Sequence, residues 1–226
     1  GGSKGIPRKN IRQICGKPLI AHTIQTALAC KASFHRIIVS TDDTEIAAIA
    51  EKYGAEAPFL RPAALASDTA PTAAALQHAV EFVEEQDNVR IDWVMLLQPT
   101  DPLRESQDIY AALELASDSK CDSVISVSQV FDTHPILMKR IENDTLQPFC
   151  IDEIEGTRRQ DYDPPAYMRN GAIYLTKRDV LMEHGSIWGD VIRPYIMPAE
   201  RSVGVDSELD FRLIEILMAE KISEMD

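Results

Sequence analysis

The chain has 226 residues, 45% of them hydrophobic and 26% charged, with a formal net charge of −13. That length and composition suit one large α/β domain with a core of ordinary size. The acidic total excludes generic coating of nucleic acid, which needs a broad basic surface, and no apolar run approaches the ~20 residues of a membrane helix. Cys15, Cys30, Cys121 and Cys150 are widely spaced with no C-x-x-C pair. They read as reduced thiols, which predicts a cytoplasmic protein.

Charge is spread unevenly. Residues 1–41 hold seven Lys/Arg and no Asp or Glu. The first ten, Gly1-Gly2-Ser3-Lys4-Gly5-Ile6-Pro7-Arg8-Lys9-Asn10, combine glycines, a serine and cations. Glycine permits close backbone approach to a ligand, and Lys4 and Lys9 bring point charges. The mixture suits a polyphosphate, with a solvated arm as the competing reading. Residues 19–32 show helical spacing after Pro18, and 36–41 read as a buried strand. Asp42-Asp43-Thr44 caps a predicted helix over 45–53, which Gly54 ends. A Pro- and Ala-rich loop spans 57–71, then a helix 72–86. A central strand follows at 93–98, then a Pro-Thr-Asp-Pro turn and a helix over 106–116. The next strand is 123–127. Alternation stops between 130 and 167 and resumes with strand 171–175, helix 177–183, strand 191–197 and a last helix 208–221. This order predicts a three-layer, Rossmann-like α/β fold with a mostly parallel mixed sheet, interrupted by an excursion over 130–167.

A Walker A loop is absent: Gly16-Lys17 is followed by Pro18, and Ile11 stands in the first glycine's place. The Gly-x-Gly-x-x-Gly fingerprint is absent too. Instead, five stretches in order resemble the acylneuraminate cytidylyltransferases (CMP-sialic acid synthetases). They are residues 1–10, Arg61-Pro62-Ala63-Ala64-Leu65-Ala66-Ser67-Asp68-Thr69, Leu96-Leu97-Gln98-Pro99-Thr100-Asp101-Pro102-Leu103-Arg104, Asn170-Gly171-Ala172-Ile173-Tyr174, and Val205-Asp206-Ser207-Glu208-Leu209-Asp210-Phe211. The resemblance covers nearly the whole chain. It implies a nucleotide-diphospho-sugar transferase-like fold and transfer of CMP from CTP to a nonulosonic acid such as sialic, legionaminic or pseudaminic acid, with release of pyrophosphate.

The resemblance also assigns residues. Lys9 serves the α-phosphate and Lys4 the outer phosphates, with Gly2 and Ser3 in the same loop. Asn10, Arg61 and Thr72 hold cytosine and ribose, Thr72 having helix capping as its other reading. Gln98 ends a strand, where open α/β sheets bind ligands, and is assigned to the sugar. Arg159, in the Arg159-Gln160 pair, suits the sugar carboxylate, and Lys139 is a second candidate cation. Tyr174 is either a sugar contact or a core tyrosine. Thr100 and Arg104 are read as shaping the turn. Asp206 is the expected ligand of Mg²⁺ (or Mn²⁺), competing with a place beside a capping-box-like helix start. The 130–167 excursion resembles a dimerisation element, so a homodimer is expected, with neither nucleic acid nor membrane as a partner.

Three departures stand out. Gly204 replaces an expected Asp, Asp101 stands where serine is usual and adds a carboxylate near the sugar or metal as a candidate replacement for it, and the strand and arginine expected ahead of Gly1 are not in the sequence. The natural protein is expected to continue upstream. A keto-deoxy-octulosonate cytidylyltransferase is the alternative enzyme, towards which Gly204-Val205-Asp206 leans. A non-catalytic nucleotide-binding module is the alternative outside catalysis.

Overall fold

The computed structural model describes residues 6–223 except 68 and 119, with residue 222 described by its backbone only. The loop residues Gly2, Ser3 and Lys4 lie outside the described residues. The chain begins with a 3-10 turn, Lys9–Ile11, and a small hairpin of β1 (Gln13–Ile14) and β2 (Lys17–Pro18). Its two turn residues, Cys15 (φ 45°) and Gly16 (φ 78°), both have positive φ, as the tightest hairpin turn requires.

Helix α1 (Leu19–Ala29) buries Leu19, Ile20, Ile24 and Ala27. It ends three residues earlier than predicted, where a 3-10 turn at Lys31–Ser33 takes over. Helix α2 (Thr44–Lys52) starts at Asp43, whose carboxylate accepts from the amides of Glu45 (2.8 Å) and Ile46 (3.2 Å). Next come α3 (Thr72–Asp87), β3 (Trp93–Leu96), α4 (Ser106–Ala116) and β4 (Ser123–Val130). The excursion contains the hairpin β5 (Lys139–Glu142) and β6 (Thr145–Pro148), turned by Asn143 and Asp144, also at positive φ. The chain returns through β7 (Ala166–Lys177), α5 (Arg178–His184), β8 (Ile192–Ile196) and α6 (Glu208–Ser223).

The main sheet runs β3-β7-β4-β8. β7 is antiparallel to both β3 and β4, while β4 and β8 are parallel. Three of the four strands therefore point one way, and β7 alone is reversed. Trp93, Met95 and Leu97 pack with α4 residues Ile109 and Ala112, whereas Val94 packs with Val80 of α3 and Leu181 of α5. The alternation along β3 places helices on both faces, which gives three layers. No helix among the described residues is long and apolar enough to cross a membrane.

Residues 36–41 depart from expectation. They form only isolated parallel bridges, Ile38 to Glu56 and Thr41 to Leu60, and are half-buried up to Ser40. The reason is their other edge. It opens on a cavity of about 570 Å³ shared with the end of β3, which pairs only with β7 among the described residues.

The two helices of one face, α3 and α5, are also joined through charge. Arg178 donates from Nε and Nη2 to both oxygens of Glu84, each at 2.9 Å, and the amide of Ile91 donates to the same carboxylate. Arg178 holds the Glu84 carboxyl down at about 2. A depressed carboxyl contributes stability that is complete above its unfolded value and is lost as pH falls towards 2. Glu84→Gln is therefore expected to cost about 2 kcal/mol at pH 7. Urea denaturation at pH 7 and pH 3 should show the gap to wild type shrinking at the lower pH.

Candidate active site

Two groups of side chains meet at the first 3-10 turn. Asn10 lines the cavity together with Ser40, Arg61 and Thr72, above apolar side chains such as Ile38, Val39, Leu76 and Leu97. Three predicted nucleotide residues are thus brought to one place. Arg61 is held there by Ser40, donating from Nη2 to its carbonyl and from Nε to its hydroxyl. Thr72 is the first residue of α3 and exposed, and no side chain caps that helix. The capping reading of Thr72 is not realised.

One residue earlier, Lys9 points the other way. Its ammonium donates to the carbonyl of Val205 (2.6 Å) and lies 3.4 Å from Oδ1 of Asp206. The Lys9 side chain is 14% exposed and that of Asp206 is 91% exposed. The carbonyl fixes the ammonium while one side of the pair stays open to a ligand. Asp206 is not spent on the helix start. Asp210 does that work, its carboxylate accepting from the amides of Asp206 (3.1 Å) and Ser207 (2.7 Å) and from the Ser207 hydroxyl (2.8 Å).

The two arginines flanking Lys9 are occupied by acids from elsewhere. Arg8 meets Asp43 and Glu45, and Arg12 meets Glu208 and stacks over Phe211. Cys15 is half-buried, and burial with nearby Glu215 pushes its thiol up, away from the thiolate a nucleophile needs.

Behind Lys9 lies the turn after β3. Arg104, 2% exposed, donates to the carbonyls of Ala172 (2.8 Å) and Gln98 (2.9 Å) and to the Thr23 hydroxyl (3.3 Å). Burial pulls its guanidinium down to about 10, still cationic at neutral pH. Arg104 thus shapes the turn, as its sequence position implies. Asp101, also 2% exposed, sits in the same turn. Burial pushes its carboxyl up to about 6, against the Thr100 hydroxyl bond and Arg104, while Asp206 adds to the rise.

Glycine makes room for both groups. Gly171 has φ +84° and sits in β7 opposite a register shift in β4. A Cβ there would lie 2.5 Å from Oε1 of Gln98 and 2.9 Å from Oδ2 of Asp101. Asn170 holds this bulge, accepting from the Ser126 hydroxyl (2.6 Å) and the Ala172 amide (3.1 Å). Gln98 is therefore seated against bare backbone at a strand end.

The remaining predicted residues stand apart. Tyr174 is 8% exposed and packs edge-on against Trp188. Its core reading is realised. Arg159 and Lys139 belong to the excursion. Arg159 donates to Asp132 (3.0 Å), and Lys139 pairs with Glu153 (2.7 Å). Asp101 reads from the sequence as an added carboxylate near the sugar or metal, but its burial and its glycine neighbours are not visible in one dimension.

A metal test can be made on this geometry. No group of three or more His, Cys, Asp or Glu side chains gathers among the described residues. A zinc-type cage is not what these residues build. The exposed carboxylate of Asp206 suits Mg²⁺, which takes one or two carboxylates and completes its shell with water and phosphate oxygens.

Comparison with known proteins bears on family and fold. A family model described as cytidylyltransferase matches residues 1–181. The post-translational flagellin modification protein B of Campylobacter coli is 36% identical over 98% of this chain and 92% of its own length. The CMP-N,N'-diacetyllegionaminic acid synthase of Legionella pneumophila is 34% identical over 96% of this chain and 92% of its own. The N-acylneuraminate cytidylyltransferase of Escherichia coli is 33% identical over 97% of this chain and 50% of its own. A CMP:2-keto-3-deoxy-manno-octonic acid synthetase solved with CTP superposes with a TM-score of 0.70 at 20% identity, covering 97% of this chain and 95% of its own, a likeness of fold.

The seating of Gln98 can be tested with two glycines of nearly the same φ. Gly156 has φ +83° and open space, so Gly156→Ala should cost about 1 kcal/mol from backbone strain alone. Gly171→Ala should cost roughly 1–2 kcal/mol more, because the added carbon collides with Gln98 and Asp101. Urea melts of the two variants give the comparison.

Proposed function

The chain belongs to the cytidylyltransferase family, and from that premise we propose that it transfers CMP from CTP to the anomeric hydroxyl of a nonulosonic acid, releasing pyrophosphate. One observation carries the reading. A cation fixed by a backbone carbonyl (Lys9) stands beside an open carboxylate (Asp206), one residue from a cavity lined by Asn10, Arg61 and Thr72. Relatives at 33–34% identity whose names specify legionaminic and neuraminic acids support the sugar class.

In this mechanism the cavity side receives cytosine and ribose, with Asn10, Arg61 and Thr72 as contacts. That places the triphosphate at the glycine-rich start, near Lys9. The Lys9 ammonium neutralises charge at the α-phosphate, oriented by the Val205 carbonyl so that little reorganisation is needed as charge builds. Lys4, Gly2 and Ser3 are proposed to hold the outer phosphates. The sugar's hydroxyl oxygen bonds to the α-phosphorus as the bond to the β-phosphate oxygen breaks. Gln98 orients the sugar from the strand end. Arg159 is the proposed partner of the sugar carboxylate, exchanging Asp132 for it, with Lys139 a further contact of the excursion. Tyr174 contributes by packing behind the strand. A divalent cation, Mg²⁺ or Mn²⁺, held by Asp206, supplies charge neutralisation of the triphosphate when bound.

The excursion is proposed to form a homodimer. It leaves the sheet and exposes Ile141, Leu146, Phe149 and Ile154 close together in sequence, an apolar set of the kind that interfaces cover. A cytoplasmic setting fits the four free thiols.

Incubation with CTP, Mg²⁺ and a panel of sugar acids should release pyrophosphate with legionaminic, pseudaminic or neuraminic acid. Turnover confined to keto-deoxy-octulosonate would refute the nonulosonate assignment. Lys9→Ala should retain the fold by circular dichroism and lose about 10²-fold or more in kcat. Light scattering should give about twice the chain mass of 25.2 kDa, falling towards one for Ile141→Asp.

A further inference from the structure

The excursion leaves the sheet after Val130 and returns at Ala166, the last pair between β4 and β7. Just beyond that pair, one side chain joins the two arms. His134 is 1% exposed, and its Nε2 lies 2.9 Å from the carbonyl of Pro164 on the returning arm. Its Nδ1 accepts from the amide of Ile136 on the outgoing arm at 3.2 Å. The ring also packs against Tyr162, with centroids 5.1 Å apart.

These two bonds fix the state of the ring. A backbone amide only donates, so Nδ1 carries no proton. A carbonyl only accepts, so the single proton sits on Nε2 and is donated to Pro164. The ring is therefore neutral. An imidazolium would set a second N–H against the Ile136 amide, and an apolar side chain would leave that buried amide without an acceptor.

Both sugar-side cations are attached to the turn that this ring secures. Lys139 donates to the Ile136 carbonyl at 3.0 Å. Arg159 donates to Asp132 and lies over the ring of Phe131, 5.4 Å from its centroid. The Phe131 carbonyl in turn accepts from the His134 amide at 3.2 Å. The Arg159–Asp132 pair also crosses between the arms, but its side chains are 57% and 79% exposed, and an ion pair in water holds little by itself. The buried link is the one through His134.

We propose that His134 is a positioning residue: as a neutral ring protonated on Nε2, it clamps the neck of the excursion and so sets where Arg159 and Lys139 meet the sugar acid. The bond to Pro164 is the clamp, and the bond to Ile136 shapes the turn. The role at the sugar rests on the nonulosonate reading, whereas the clamp does not.

Two substitutions separate the bonds. Glutamine can place an amide N–H where Nε2 stood and keep the bond to Pro164. Asparagine can place its carbonyl where Nδ1 stood and keep only the bond to Ile136. His134→Asn and His134→Ala should raise the KM for the sugar acid roughly tenfold and leave the KM for CTP within about twofold. His134→Gln should stay near wild type. Hydrogen–deuterium exchange of the protein alone reads the clamp without turnover. Amides of residues 139–160 should exchange faster in the Asn and Ala variants but not in the Gln variant, with the main sheet unchanged. Heteronuclear NMR of wild type at neutral pH should show His134 protonated on Nε2 and bare on Nδ1. A ring protonated on Nδ1, or unaltered exchange in His134→Asn, overturns the clamp. A sugar KM that does not move, a CTP KM that rises equally, or His134→Gln as impaired as His134→Ala overturns the positioning role. Should His134→Ala unfold, His134→Asn against His134→Gln decides alone. Faster exchange in His134→Asn, with no turnover of any sugar acid by wild type, would leave the clamp standing and remove its part at the sugar.

Discussion

A guanidinium taken out of water must find acceptors inside the protein, and this one constraint organises the site. Arg104 reaches the carbonyl at the end of β3, the carbonyl after the glycine in β7, and a hydroxyl on α1. Three elements far apart in sequence are thereby held to one planar, directional group. The carbonyl of Arg104 itself accepts from Thr26, closing the link to α1. Gln98, Asp101 and Gly171 all lie within a few residues of these anchor points. Their positions follow from where Arg104 can be satisfied.

Around that anchor, backbone space matters as much as side-chain chemistry. Gln98 and Asp101 both crowd the position where Gly171 has no side chain, and Asp101 crowds Gly204 in the same way. The bulge at Gly171 is in turn kept by Asn170 and Ser126 across the sheet. The polar groups of the proposed sugar and metal sides are therefore packed against bare backbone.

The start of the chain joins the two halves of the site. Its run of cations attracts acids from three distant places: Asp43 and Glu45 at α2, Glu208 at α6, and Asp206 just before it. Arg8 and Arg12 are used in holding the segment down. Ile6, Ile14 and Leu19 pack beside Phe211 and Ile214 and reinforce the same seam. Lys9 is fixed chiefly by a neutral carbonyl, with the exposed carboxylate of Asp206 beside it, so the pair keeps one side open to a phosphate. Asn10 follows on the cavity side, so a single 3-10 turn serves both the nucleotide and Asp206.

Most helices were legible in the sequence because their causes are local. Periodicity, Asp43 as a cap and Pro18 as an entry act within a few residues, and the helix over Ser106–Ala116 falls where the sequence predicts it. The motifs also exposed the family, since Lys9, Gln98 and Asp206 sit in short runs of recognisable chemistry. Strand pairing was less legible. Residues 36–41 have the composition of a buried strand, but a ladder depends on what lies alongside, and their second edge meets a cavity. The roles of Asp101, Gly204 and Arg104 depend on contacts spanning roughly seventy to a hundred residues of sequence. The sequence by itself determined the elements, the family and the charged residues available. Only the tertiary structure decided which charges are spent on each other and which carboxylate is left open, because burial and hydrogen-bond satisfaction are properties of neighbours in space.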